Sequence, residues 1–257
     1  METQEAVRTS HESPAPIGLE RVPESDLRRQ LLEMLLTPEE ARQIARQKMT
    51  YEEFLAWANE DTLAEWVDGE VVMYSPASRR HQSIAGFLTS VMRSFVEQHD
   101  LGIVLNAPFQ MKLEHGREPD LLFVASGHLA RLKETYLDGP ADLVIEIISP
   151  ESVARDRGTK FYEYAQGGVA EYWLIDPQVE WIEFYRLGEV GFYETVFSGR
   201  EGVCHSEALP GFWLRVEWLW QKPLPAVEDV LLEVGGETYA RRWIERLRQR
   251  GFLPSSD

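Results

Sequence analysis

Two carboxylates in adjacent apolar segments are the residues of this chain best suited to chemistry. Asp120 opens the segment "DLLFV", and Glu146 lies inside "DLVIEIISP", an apolar run bounded by turn-forming residues. A run rich in Val and Ile predicts a strand covered on both faces, which would bury the Glu146 side chain. A buried carboxylate must shift its pKa, find a partner or bind a metal. The chemistry of the protein therefore depends on what stands beside Glu146.

A shared cation is one such partner. Neighbouring strands lie about 4.8 Å apart, so Asp120 and Glu146 at matching heights could ligate the same ion. Mg²⁺ takes oxygen ligands and is commonly held by one or two carboxylates plus waters and phosphates, and Mn²⁺ is a second candidate. Lys160 lies on the predicted helix that follows the Glu146 strand. Two carboxylates, a metal and a lysine can polarise a phosphodiester, orient a water and stabilise developing charge.

Each of these residues also has a structural interpretation. Glu146 could form a buried ion pair with an arginine, which would carry no chemistry. Asp120 follows Pro119 and could simply open a strand from a turn. Lys160 could be an ordinary exposed lysine on a helix. The chemical interpretation therefore requires the three side chains to meet.

The charge balance restricts how the chain can meet nucleic acid. It holds 26 Lys and Arg against 43 Asp and Glu, a formal net charge of −17. Such a field repels a phosphate backbone, so any contact with DNA must come from a local basic patch. The stretch "SRRH" is a weak patch of this kind and supplies three candidate substrate contacts, Arg79, Arg80 and His81. A lone histidine on an amphipathic helix is more often structural, so His81 keeps that second interpretation.

Length and composition predict a soluble, cytoplasmic protein with one sizeable core. No apolar stretch approaches the ~20 residues of a membrane helix, and the polar first segment does not resemble a signal peptide. Cys204 is the only cysteine among the 257 residues. That excludes an intramolecular disulfide and a zinc site built on several thiolates, and it agrees with a reducing compartment.

The pattern of apolar and turn-forming residues predicts an α/β fold around the carboxylates. A capped helix is expected from Thr50, a β-hairpin around the Asp-Gly pair at 68–69, and a five-turn helix over 78–99. "GIVLNAPFQMKL" and "PDLLFV" are strand-like. The strand over 142–150, the helix through "RDRGTKFYEYAQ" and the strand "EYWLIDP" form a βαβ unit with parallel strands. Four antiparallel segments and a basic amphipathic helix follow.

Several motifs in this order resemble the Uma-type family of restriction endonucleases, a branch of the PD-(D/E)xK nuclease superfamily. The resemblance runs from about Met49 to about Trp218 and rests on the segments "MTYEEFLAWANEDTLAEWVDGEVVMYSPAS", "PDLLFV", "YLDGPADLVIEIISPES", "RDRGTKFYEYAQGGVAEYWLIDP" and "LPGF". It implies a restriction-endonuclease-like α/β core, with a mixed β-sheet flanked by helices and extra antiparallel strands. It also implies hydrolysis of DNA by a metal-held water.

Carried over position by position, the resemblance assigns roles to three acidic residues. Asp120 matches the first metal carboxylate of the family and Glu146 the second. Glu65, in "AEWVDGE", matches an additional acidic residue from the N-terminal part of the core. On chemistry alone, Glu65 could equally be a solvated residue at the end of a helix.

The expected motif lysine is missing. The superfamily pattern has a lysine two residues after the second carboxylate, where this chain has Ile148. The resemblance makes Lys160 its replacement, moved from the strand to the following helix, and leaves Lys112 as a second candidate. The substitution and the acidic charge keep an alternative open, a catalytically inactive nuclease-fold module that binds or regulates. Cleavage of RNA or of a small phosphodiester is a further alternative.

Three regions are expected along the chain. Residues 1–48 are interpreted as a disordered lead plus accessory helices, 49–221 as the endonuclease-like domain, and 222–257 as a helical tail. An exposed edge of "FWLRVEWLW", residues 212–220, is a candidate contact for a homodimer.

Overall fold

The computed structural model describes residues 48–58, 62, 64–73, 77–150 and 152–254. The lead and accessory helices expected over 1–48 lie outside these described residues, apart from Lys48. Among the described residues, no helix combines the length and the apolar character needed to cross a membrane.

The described chain alternates short strands with a few helices. Its α-helices are α1 (Tyr51–Trp57), α2 (Arg79–His99), α3 (Lys160–Gly167) and α4 (Val227–Gln249). Shorter helical turns are of the 3₁₀ type at Ser126–Arg131 and Val216–Trp220, and of the π type at Arg155–Thr159. The π turn runs directly into α3, which bears on the position of Lys160.

Thirteen strands lie among the described residues. They are β1 (Ala64–Val67), β2 (Glu70–Met73), β3 (Gly102–Asn106), β4 (Gln110–Lys112), β5 (Gly116–Arg117), β6 (Leu121–Ala125), β7 (Tyr136–Asp138), β8 (Leu143–Ile147), β9 (Glu171–Asp176), β10 (Trp181–Leu187), β11 (Tyr193–Gly199), β12 (Val203–His205) and β13 (Trp213–Arg215).

Two larger sheets organise these strands. The six-stranded sheet has the order β11-β10-β9-β8-β6-β3, and the five-stranded sheet has the order β2-β1-β5-β4-β7. β8 and β9 are parallel, as the βαβ pattern predicted. On either side of them, β6 pairs antiparallel with β8, and β10 pairs antiparallel with β9. The mixed sheet and its flanking helices confirm the predicted fold class. The remaining strands, β12 and β13, form an antiparallel pair of their own.

Both faces of the six-stranded sheet are covered. On one face, α2 packs its apolar stripe, which includes Leu88 and Met92, against Leu121 and Ile145 of the sheet. α4 contributes Val230 and other apolar side chains to the same core. On the opposite face, alternate residues of the same strands pack with apolar side chains around α3. Every residue of β8 is therefore buried, as its apolar sequence predicted.

The local signals used for the first elements are confirmed. Thr50 caps α1 through a capping box with Glu53. Asp68 and Gly69 form the β1–β2 turn with φ values of 52° and 86°, which Gly tolerates without steric cost. Ser78 caps α2, and its side chain accepts a hydrogen bond from the backbone N–H of His81.

Two expectations differ from the structure because tertiary contacts decide them. "GIVLNAPFQMKL" forms two strands in different sheets, β3 and β4, separated at Pro108, which has no N–H to donate to a ladder. The last antiparallel segment ends at Arg215 and continues as a 3₁₀ turn. In that turn Trp218 is buried, so the stretch supplies core. The homodimer stays a prediction, as does the separation of 222–257 as a tail.

A pair of glycine substitutions tests this local structure. Gly69→Ala should lower the free energy of unfolding by about 1–2 kcal/mol, because an L-residue is strained at its φ of 86°. Gly86→Ala is the matched control. It lies on the exposed side of α2 with no heavy atom within 4 Å of an added Cβ, and it should raise stability by about 1 kcal/mol. Urea denaturation measures both, and equal effects of the two changes would contradict the assigned turn.

Candidate active site

Asp120 and Glu146 lie at the adjoining ends of two paired strands. β6 pairs antiparallel with β8, with Leu121 opposite Ile145, so one further step sets Asp120 opposite Glu146. Residues directly opposite in an antiparallel pair project from the same face. The backbone N–H of Ile147 donates to Asp120 Oδ2 at 2.7 Å, which fixes that carboxylate at the sheet end. The structure thus brings the two carboxylates to matching heights on adjacent strands.

Lys160 meets this pair from the helix that follows β8. Its Nζ lies 2.8 Å from Glu146 Oε1 and 2.7 Å from Glu65 Oε1. The long stem carries the charge inward, and the residue is only 2% exposed. The interpretation of Lys160 as an exposed helix lysine is therefore wrong.

Glu65 comes from the other large sheet. It lies on β1 and is fully buried, so it is neither solvated nor at a helix end. Besides Lys160, its Oε1 accepts the backbone N–H of Glu118, and its Oε2 accepts a hydrogen bond from Arg117 at 2.9 Å. Arg117 in turn donates two hydrogen bonds of 2.7 Å to Glu163 on α3. Glu65 is consequently held in place from several sides.

Tyr164 completes the surroundings of Glu146. Its hydroxyl donates to Glu146 Oε1 at 2.7 Å, the same oxygen that contacts Lys160. Burial, together with the charge of Glu146, raises the pKa of Tyr164 well above its ordinary value, so the hydroxyl keeps its proton. Tyr164 was not among the residues predicted from the sequence, although its i+4 spacing from Lys160 places both on one helix face.

The electrostatics of this cluster favour an added cation. Burial raises the pKa of Glu146 to about 8, and the ammonium of Lys160 only partly opposes the shift. Burial likewise raises the pKa of Glu118 to about 7, against the hydrogen bond from Gln110. Carboxyl groups outnumber the buried cations Lys160 and Arg117 here, since the cluster holds Glu65, Glu118, Glu146, Asp156 and Glu163. A region this short of positive charge retains protons or binds a cation.

His81 is the member of the basic stretch that reaches the site. Its Nε2 lies 3.1 Å from Asp120 Oδ2. Burial opposes the charged imidazole, but the hydrogen bond and charge of Asp120 outweigh burial and raise the pKa of His81. Arg80 instead donates to the backbone carbonyls of Leu219 and Gln221, and Arg79 is exposed on α2.

Lys112, the second candidate for the motif lysine, lies elsewhere. It is part of β4, in the five-stranded sheet, and its Nζ lies 4.9 Å from the centre of the Tyr51 ring. The same Nζ lies 3.8 Å from a carboxylate oxygen of Glu52. The structure therefore does not bring Lys112 to Asp120 and Glu146.

Asp120 and Glu146 offer two carboxylate oxygens, one each, to a cation such as Mg²⁺. Both hydrogen bonds to Asp120 reach Oδ2, and both to Glu146 reach Oε1, so within the described ranges Asp120 Oδ1 and Glu146 Oε2 have no protein donor. Mg²⁺ is typically held by one or two carboxylates with waters and substrate phosphates completing its shell. No group of three or more His, Cys, Asp or Glu side chains in those ranges is arranged to hold a metal.

Comparisons with known proteins place the chain in a family. The family model Uma2, described as "Putative restriction endonuclease", matches residues 51–217. A crystal structure described as "a putative nuclease belonging to DUF820", from Anabaena variabilis, is similar with a TM-score of 0.57 and 19% identity, covering 67% of this chain and 97% of that chain. At this identity the likeness shows the fold alone. No curated protein matches the chain. Since the family model covers well over half of the residues, the chain belongs to the Uma2 family of restriction-endonuclease-like proteins.

Proposed function

We propose that the protein is an endonuclease that hydrolyses phosphodiester bonds in DNA and depends on Mg²⁺, with Mn²⁺ as a substitute. The observation that carries the proposal is the pairing of Asp120 and Glu146 at adjacent strand ends. Each carboxylate keeps one oxygen without a protein donor in the described residues, and the Lys160 ammonium lies at the other oxygen of Glu146. Membership of the Uma2 family supports the same reaction class.

The roles follow from position and exposure. Asp120 and Glu146 would hold the cation, which supplies a Lewis acid and lowers the pKa of a bound water. The Asp120 side chain is 20% exposed and that of Glu146 only 5%, so a phosphodiester approaches from the Asp120 side. His81 orients Asp120 through its hydrogen bond. Arg79, exposed near the start of α2, stays a candidate contact to the substrate backbone.

Lys160 acts on the inner side of the site. In the metal-free protein its ammonium sits against Glu146. With the cation bound it would stay beside the site, where it stabilises developing negative charge and orients a water. Glu65 and Tyr164 position this group, because Glu65 contacts Lys160 and Tyr164 donates to the shared Glu146 oxygen. Glu65 therefore supports the site instead of ligating the cation.

A nuclease-fold module without turnover is the second candidate function. The observation that favours it is the short contact between Lys160 and Glu146, which is also what a structural ion pair would show. Such a protein would bind or regulate a partner and would gain nothing from Mg²⁺. The two candidates differ in cleavage and in their response to the cation.

Cleavage assays on plasmid DNA test the lysine assignment. Lys160→Met should reduce Mg²⁺-dependent cleavage by roughly 100-fold or more, because one lost stabiliser of developing charge costs about that much. Lys112→Met is the matched control and should cleave like the wild type. EDTA should abolish cleavage. Loss of activity in the Lys112 variant alone would show that the lysine is misassigned, and no cleavage with Mg²⁺ or Mn²⁺ would favour the inactive module. RNA in place of DNA tests the substrate class.

The proposed cation requirement also predicts that Mg²⁺ stabilises the folded protein, which can be measured without a substrate. Mg²⁺ at a hundredfold excess over its dissociation constant should stabilise the wild type by about 2.7 kcal/mol, and Glu146→Gln much less. A purely structural Glu146 ion pair predicts the reverse, because the change would then cost about 3 kcal/mol or more and Mg²⁺ would change nothing. Thermal melting of both proteins with and without Mg²⁺ distinguishes the two outcomes.

The raised pKa of Glu146 predicts a pH dependence of the metal-free protein. Between the ordinary value of 4.5 and about 8, the folded state binds this proton more tightly than the unfolded state. Stability from Glu146 is thus full below 4.5 and falls as pH rises towards 8, by about 1.4 kcal/mol per pH unit at most. Glu146→Gln should flatten this slope in urea denaturation between pH 5 and 8.5. An unchanged slope in the variant would contradict the assigned shift.

A further inference from the structure

Asp156 is a buried carboxylate that the proposed mechanism does not use. It lies on the π-helical turn four residues before Lys160 and is 2% exposed. Its Oδ1 is buried and has no hydrogen-bond partner among the described residues. A buried acceptor without a donor costs about 1–3 kcal/mol. Its presence beside the candidate active site therefore calls for a functional explanation.

Two cations lie close to Asp156 Oδ1 without donating a hydrogen bond to it, Lys160 through Nζ and Arg155 through Nε at 3.9 Å. Lys160 Nζ lies 3.8 Å from Asp156 Oδ1, whereas it lies 2.8 Å from Glu146 Oε1. A shift of roughly 1 Å would bring Nζ within hydrogen-bond distance of Asp156. The two residues have i,i+4 spacing, which keeps their side chains on one face of the helical turn. The ammonium can thus change partner without a change in the backbone.

Glu65 supplies a fixed point for such a movement. Its carboxylate is held by Arg117 and by the backbone N–H of Glu118 as well as by Lys160. These contacts do not involve Glu146, so they persist when the surroundings of Glu146 change. Lys160 can therefore keep its contact with Glu65 while its distances to Glu146 and Asp156 change.

We propose that Asp156 is a positioning residue that accepts Lys160 when Glu146 engages a divalent cation. The inference rests on the proposed function. Once Glu146 binds a cation, the cation repels the positively charged ammonium of Lys160, and the attraction between Lys160 and Glu146 weakens. Asp156 then offers a carboxylate oxygen that has no other donor within the described chain. Lys160 stays buried beside the site instead of opposing the cation.

The charges around Asp156 agree with this role. Burial raises its pKa more than the nearby charge of Lys160 lowers it, so the carboxylate is incompletely compensated in the metal-free protein. Arg155 and Ser152 also lower the pKa from within the same segment, and Asp120 raises it across the site. A closer Lys160 would supply the missing compensation.

Calorimetric titration of the full chain with Mn²⁺ tests the inference. Asp156→Ala should weaken Mn²⁺ binding about 10- to 100-fold, the range for residues that support metal ligands. Asp156→Asn retains an acceptor oxygen and should fall between this variant and the wild type. Asp138→Ala, an exposed carboxylate on β7, is the control and should bind like the wild type. If Asp156→Ala does not fold, the Asn variant decides, and wild-type affinity in it overturns the proposal.

A double-mutant cycle separates positioning from direct ligation. If Asp156 acts through Lys160, Asp156→Ala should have no further effect on Mn²⁺ affinity in a Lys160→Met background. An equal loss in both backgrounds would make Asp156 a metal ligand and overturn the positioning role. Unchanged affinity together with a destabilised metal-free protein would make it merely structural. A wild type that binds no Mn²⁺ overturns the proposed function and this inference together, whereas normal wild-type binding with an unaffected variant overturns the inference alone.

Discussion

The buried ammonium of Lys160 is the interaction on which the site depends. It contacts Glu65 from the five-stranded sheet and Glu146 from the six-stranded sheet, at 2.7 and 2.8 Å. Two carboxylates brought together in the interior would repel each other and lose their hydration. The ammonium of Lys160, which contacts both carboxylates, offsets this repulsion. Arg117 extends the same network from Glu65 to Glu163 on α3. Lys160 thus links the approach of the two sheets to the geometry of the site.

The network is not what stability alone would select. Buried ion pairs repay their desolvation only when geometry is good and charges are matched, and apolar replacements often stabilise as well or better. Here carboxyls exceed the buried cations, and the pKa of Glu146 rises to about 8 because burial outweighs the charge of Lys160. Perturbed titration of this kind concentrates at functional sites. A bound divalent cation would neutralise this excess negative charge.

The parts of the fold that the sequence predicted are those fixed by local rules. Periodicity and turn chemistry are enough for the hairpin, for α2 and for the βαβ unit, and chain order is enough to bring Asp120 beside Glu146. Only the family resemblance predicted that Glu65 belongs to the site, because β1 is distant in sequence from β6 and β8 and lies in another sheet. Arg117 and Asp156 were missed, since their partners are set by how the sheets and α3 approach one another. Such contacts leave no periodic signal in the chain.

The position of the lysine has a packing reason. Ile148 stands where the superfamily pattern has its lysine, and it is 1% exposed in the apolar cluster beneath α3, with its N–H donating to the carbonyl of Ile175 on β9. A charge there would need a polar environment that this cluster does not provide. From α3, by contrast, the stem of Lys160 passes over the cluster and delivers the ammonium to Glu146 directly. The chemical requirement is a positive charge beside the second carboxylate, and a helix meets it as well as a strand. A positive charge therefore stands beside Glu146 although position 148 holds Ile, and Ile148 does not argue by itself against the proposed catalysis.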